Sequence, residues 1–185
     1  KIVVIDNERD ADNAVLQLNN ERIIGFDTET RPTFKKGKSN HVALIQLSTH
    51  DTCYLFRINR IGFTPAIKNL LENESLLKVG ISLKDDFCML SRLNGGQFIP
   101  KNFIELQKFV KKYNIEDQSL QKIYGIVIGK KISKGQRLSN WEADHLTENQ
   151  QLYAATDAWS CIKIYEVLKS GKFKSPIYKI QPSSL

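Results

Sequence analysis

The sequence predicts a mixed α/β domain, and three features of its hydrophobic patterning carry that prediction. Residues 22–27, 41–48 and 52–56 are apolar, β-branched runs separated by polar connections, which reads as three consecutive strands. From residue 64 onward, helical periodicity alternates with short apolar runs, the pattern of parallel strands added to a sheet. A long amphipathic stretch from Thr147 to about Lys169 closes the domain.

Taken in order, a short opening strand precedes a helix over 10–18, where Ala11, Ala14, Val15 and Leu18 repeat at the spacing of one helical face. The link Thr49-His50-Asp51 is too short for anything but an antiparallel hairpin between the second and third runs. A helix over 64–71, a strand over 77–80 and a helix over 84–93 follow. A strand over 103–106 then leads into a helix ending near Tyr113, and 119–124 is helical again. Thr147 is placed to cap the final helix, whose expected buried stripe is Leu152, Ala155, Trp159 and Ile162. The expectation is a single domain over 1–170 and a poorly ordered C-terminal tail over 171–185.

A chain of 185 residues with 41% hydrophobic and 25% charged content can bury one sizeable core. No run of apolar residues is long enough to span a bilayer, and the opening Lys1-Ile2-Val3-Val4-Ile5-Asp6 is too short for a signal h-region. The expectation is an intracellular protein without membrane association, cytoplasmic if bacterial. Cys53, Cys88 and Cys161 are never in C-x-x-C spacing and read as reduced core residues; His41, His50 and His145 are equally scattered. Twenty-seven Lys and Arg against twenty Asp and Glu give a net charge of +7, which suits a polyanionic partner or plain solubility.

Three short motifs carry the candidate chemistry. The run Ile23-Ile24-Gly25-Phe26 delivers Asp27-Thr28-Glu29, and residues two apart on a strand point to one side, so two carboxylates share one site. Such a pair is either solvated beyond the strand end or relieved by a raised pKa or a bound cation. Tyr153 and Asp157, four residues apart, are neighbours on one helix face. Between these motifs, Asp85 and Asp86 stand at the start of the 84–93 helix, where the helix dipole alone would favour an acid.

Together the order D-x-E, D-x-x-x-L and Y-x-x-x-D resembles the DEDD superfamily of 3′-5′ exonucleases in its tyrosine-bearing branch. Longer strings support the likeness: Phe26-Asp27-Thr28-Glu29, Val42-Ala43-Leu44-Ile45-Gln46-Leu47, and Leu146-Thr147-Glu148 running into Tyr153-Ala154-Ala155-Thr156-Asp157-Ala158. These look most like Werner-type exonuclease domains and their stand-alone bacterial relatives, with ribonuclease D second. The resemblance covers about residues 20–168. It implies a ribonuclease H-like architecture, in which three antiparallel strands and then parallel additions form a central mixed sheet flanked by helices. It also makes Asp27, Glu29, Asp86 and Asp157 the metal-site carboxylates and Tyr153 the catalytic tyrosine. Asp86 is chosen over Asp85 because Asp86 and Leu90 reproduce the D-x-x-x-L spacing. The histidine branch would need a histidine where Leu152 stands.

Hydrolysis of a phosphodiester needs an activated oxygen nucleophile and relief of charge on the transition state and the leaving 3′ oxygen. Two Mg²⁺ or Mn²⁺ ions about 3.5–4 Å apart can supply this, and hard oxygen ligands suit them. The resemblance implies that Asp27 bridges the ions, that Glu29 and Asp157 complete the nucleophile side, and that Asp86 acts directly or through water. A phenol with an ordinary pKa is a poor base at neutral pH, so Tyr153 orients water instead.

Expected substrate contacts are Thr28 and Thr30 beside the metal motif, Lys134 and Arg137 before the last one, and Trp141 of Ser139-Asn140-Trp141, which is otherwise a core residue. Lys35, Lys36, Lys38, Lys130 and Lys131 extend the two basic clusters, which are phosphate tracks or solvated loops. Gly129-Lys130 lacks the following Ser or Thr of a P-loop, so no nucleotide-triphosphate site is expected. The expected partner is nucleic acid, DNA favoured and RNA possible. The alternatives are ribonuclease D-like trimming of RNA 3′ ends and a binding module without catalysis.

Overall fold

The computed structural model describes residues 1–32 and 41–174. Among the described residues one six-stranded sheet runs through the molecule in the order β1-β4-β3-β2-β5-β6, with β1 Ile2–Ile5, β2 Ile23–Thr30, β3 Val42–Ser48, β4 Cys53–Phe56, β5 Leu77–Gly80 and β6 Phe103–Glu105. β2, β3 and β4 are antiparallel, as their patterning requires, and β5 and β6 add in parallel beyond β2. The opening strand takes a place outside that scheme, pairing parallel with β4 at the far edge. All seven residues of β3 are buried, because helices cover the sheet on both faces.

One face carries α1 Glu8–Leu18, the single turn α2 Ile58–Ile61, α3 Pro65–Leu71 and α4 Leu83–Leu93. α1 starts two residues before the periodicity suggests because the Asn7 side chain accepts the Asp10 amide at 3.0 Å and caps the first turn. The core of this face is aromatic. Phe26 meets Phe103 edge-on at 5.3 Å, and Phe87 meets Phe103 at 4.7 Å and Phe98 at 6.1 Å.

The other face carries the short α5 Leu106–Phe109, a 3₁₀ turn over Val110–Tyr113, α6 Leu120–Ile128 and the long α7 Glu148–Lys169. Thr147 starts α7 with a capping box: its hydroxyl accepts the Gln150 amide at 3.3 Å, and its own amide donates to the Gln150 side chain at 3.0 Å. The expected stripe of α7 is corrected. Ala155 and Ile162 are buried, Trp159 is half-buried, and Leu152 is 60% exposed. α7 lies across β2, β3 and β4 and also packs on α6, so its buried arc is wider than one stripe and includes Tyr153 and Asp157. Gly25 permits the approach, since a Cβ there would collide with the carbonyl of Ala158.

Cys53 and Cys161 are buried free thiols, as expected, but Cys88 is exposed on α4 because its side chain points away from the sheet. No helix among the described residues is long and apolar enough to cross a membrane. Of the tail, Phe173 packs near Tyr113 at 6.3 Å and so belongs to the core's cover; residues 175–185 lie outside the described residues.

Candidate active site

The site forms where β2 outruns its neighbour. β5 pairs only with Ile23, Ile24 and Gly25, so Asp27, Thr28 and Glu29 continue with β3 alone on their flank, at the carboxyl end of β5. Ligand crevices of α/β sheets open at such strand ends. The acids therefore lie within β2, which continues to Thr30 past a register shift after Glu29, and not beyond its end.

Alternation along β2 turns Asp27 and Glu29 toward α7, which presents Asp157 from the residue before the Gly25 contact. One carboxylate oxygen from each of Asp27, Glu29 and Asp157 falls within 4.8 Å of the others. Thr28 faces the opposite way, and its hydroxyl donates to Asp86 Oδ1 at 2.6 Å. The hydroxyl of Thr28, an expected substrate contact, thus donates its proton to a carboxylate delivered from α4. The same bond separates the two candidate acids, because Asp86 is half-buried against β2 while Asp85 is exposed.

The position of Asp86 depends on Glu105, which sequence reading passed over. Ser82, in the left-handed region at φ 59°, does not cap α4 with its own side chain. The Glu105 carboxylate does so instead, accepting the amides of Ser82 at 3.1 Å, Leu83 at 2.8 Å and Gln107 at 3.1 Å. Glu105 ends β6 in ordinary strand sequence, and nothing local announces this partnership across more than twenty residues.

Burial and mutual repulsion give the site its electrostatics. Asp27 is held well above the usual carboxylate range, first by burial and then by Glu29, Asp157 and Asp86. Glu29 is pushed up to about 9 by burial and by Asp157 and Asp86, with Arg137 opposing. Burial lifts Asp157 to about 7, against the stabilising Tyr153 hydroxyl, and Asp86 to about 6, against the Thr28 bond. Tyr153 is raised further above its ordinary value by burial and by Asp157, Glu29 and Asp27, so its hydroxyl keeps its proton. Asp157 Oδ1 is buried with no hydrogen-bond partner among the described residues. Clustered carboxylates with a spare buried oxygen form a donor set suited to a hard divalent cation.

The chain between α6 and α7 walls the crevice. A pocket of about 560 Å³ lies against Ser82, Ser119, Gln121, Lys134, Arg137 and Leu138, and one of about 490 Å³ against Lys131, Ser133, Gln136, Leu152, Tyr153 and Thr156. Lys134 and Arg137 are exposed along the first of these, and Arg137 is close enough to Glu29 to act on its charge. Trp141 is not a stacking surface: it is 0% exposed, 6.1 Å from the Tyr153 ring, and packed with Leu44, Leu55 and Ala154. Its segment needs an anchor, and a large indole is one. Around it, Arg31 pairs with Glu142 at 3.1 Å, and Arg57 donates to the carbonyls of Ala143 and of Asp144. Lys35, Lys36 and Lys38 lie outside the described residues.

Comparison with known proteins agrees with this geometry. The bifunctional 3′-5′ exonuclease/ATP-dependent helicase WRN of Mus musculus is 38% identical over 161 residues, which is 83% of this chain and 11% of that protein. The chain thus spans about a tenth of that relative's length. The Nibbler EXO domain of Aedes aegypti superposes with a TM-score of 0.82 at 23% identity, covering 91% of this chain and 87% of that one. Escherichia coli RNase D superposes with a TM-score of 0.82 at 21% identity, over 92% of this chain and 44% of its own. The profile of the 3′-5′ exonuclease family matches residues 2–171. The chain therefore belongs to the 3′-5′ exonuclease family of the DEDD superfamily, on a ribonuclease H-like fold.

Proposed function

We propose that this chain removes nucleotides one at a time from the 3′ end of nucleic acid, DNA in preference to RNA, with two Mg²⁺ or Mn²⁺ ions held by Asp27, Glu29, Asp86 and Asp157. The observation that carries the proposal is the convergence of Asp27, Glu29 and Asp157 within 4.8 Å, beside a tyrosine that stays protonated. Divalent cations bound there would lower the pKa of a water and neutralise charge on the leaving 3′ oxygen.

The chain's own residues do the rest. Asp27 would contribute to both ions, and Glu29 and Asp157 would hold the one on the nucleophile side. Asp86, bonded to Thr28 on a helix capped by Glu105, would hold the ion on the leaving side directly or through water. The Tyr153 hydroxyl donates its hydrogen bond to Asp157, so its oxygen would accept one from the attacking water and aim it, and its raised pKa excludes it as the base. Lys134 and Arg137, on one wall of the larger pocket, take the phosphates behind the scissile bond. Thr30, at the register shift that ends β2, contacts the terminal nucleotide. The preference for DNA is the expectation drawn from the resemblance of the motifs to Werner-type exonuclease domains.

A gel time course on matched 5′-labelled single-stranded DNA, recessed duplex DNA and RNA tests this reading, with Mg²⁺, Mn²⁺ or EDTA. The expected result is a metal-dependent ladder shortening from the 3′ end, fastest on DNA. A faster RNA ladder would assign the site to RNA 3′-end trimming. Intact oligonucleotides that still shift on a native gel would make the chain a binding module.

A further inference from the structure

Directly across from Asp27 on β3 stands Gln46, and directly beyond it on β4 stands Leu55. Opposed residues of antiparallel strands share a face with Cβ atoms about 4.5–5.5 Å apart. Gln46 therefore projects beside Asp27 on the α7 face, in line with Leu44 and Leu55 of the apolar cluster. It is 0% exposed, and neither its Nε2 nor its Oε1 has a hydrogen-bond partner among the described residues.

A carboxamide buried with both ends unsatisfied weakens the fold, and leucine at the same place would pack without that cost. The packing of β3 thus gives no reason for a glutamine there. The neighbouring carboxylate gives one, because a ligating acid needs a donor that fixes which oxygens face the ion, and an amide N–H supplies it without adding charge. We propose that Gln46, whose amide has no partner among the described residues, is a positioning residue that donates to the Asp27 carboxylate and fixes its orientation when an ion is bound. This rests on the assignment of Asp27 as a ligand made above.

The test compares wild type, Gln46→Leu, Gln46→Met and Asp27→Ala in Mn²⁺ titrations followed by electron paramagnetic resonance, with metal-free thermal unfolding alongside. Gln46→Leu should melt no lower than wild type without metal, yet bind Mn²⁺ about 10-fold or more weakly. Its kcat should fall with the KM for the oligonucleotide unchanged. Gln46→Met is read in the same way should the leucine variant not fold. Mn²⁺ affinity within about twofold of wild type in the folded variant, or failure of both variants to fold, would overturn the proposal. Asp27→Ala separates the two claims. If it too leaves Mn²⁺ binding intact, the metal-site assignment fails, whereas weak binding there and normal binding at Gln46→Leu sinks only the role of Gln46.

Discussion

Phe26 and Asp27 are adjacent on β2 and face environments of opposite kind. Phe26 enters an aromatic cluster with Phe87 and Phe103, fully buried and free of polar groups to satisfy. Asp27 enters a cluster of acids on the α7 face, with the unsatisfied Asp157 Oδ1 and Gln46 amide close by. The period of two along a strand puts these side by side in sequence and on opposite faces in space. One face supplies stability; the other holds charges that the fold alone leaves uncompensated, which is the expected cost of a preorganised site.

Substitutions can break this contrast. The largest effect belongs to Asp27→Ala, which should lower the initial rate of nucleotide release on the order of 10³-fold or more. Its metal-free melting temperature should not fall, since a buried repelling acid is removed. Phe26→Ala should do the reverse, costing about 3–5 kcal/mol in urea denaturation while the folded fraction retains turnover. Tyr153→Phe should slow kcat about 10²-fold and leave Mn²⁺ affinity within about twofold, because the lost hydroxyl orients water and supports Asp157 without being an ion ligand itself.

Titration sharpens the contrast more gently. Asp86, Asp157 and Glu29 have folded pKa values of about 6, 7 and 9, all above their ordinary values, so the native state holds extra protons. Stability from these groups is complete below their unfolded pKa values and is lost as pH rises through the folded ones. The metal-free protein should melt progressively lower from pH 5 to pH 9, and Mg²⁺ should reduce that slope. Differential scanning calorimetry with and without Mg²⁺ checks both.

The smallest effect tests an exception on the aromatic side. Lys78 is 0% exposed, its Nζ donates to the Asn73 carbonyl at 2.6 Å and lies 5.1 Å from the Phe103 ring centre, and burial pushes its pKa down to about 8. Lys78→Met should raise stability at pH 7 by about 1 kcal/mol, read from the urea midpoint.

Much of this could be read from sequence where the cause is local. The β2–β3–β4 trio follows from alternation and short links, and spacing along a strand or helix pairs Asp27 with Glu29 and Tyr153 with Asp157; that the two pairs meet comes from the packing of α7 on β2 and is implied in the sequence only by the family resemblance. Contacts between distant segments could not be read. Leu152 looked buried because helical periodicity gives the width of a stripe but not its orientation once a helix packs on both a sheet and a neighbour. The tie of Thr28 to Asp86 spans 58 residues, and Glu105 caps α4 from 22 residues beyond Leu83. Gln46 sits in an apolar string as one polar letter, and only its register with Asp27 gives it a role.

Anomalous diffraction from a crystal soaked in Mn²⁺ tests the central claim, that the acidic face of β2 is a metal site. Peaks within about 2.5 Å of oxygens from Asp27, Glu29 and Asp157 are the expected result. A full soak with no peak between β2 and α7 would contradict it.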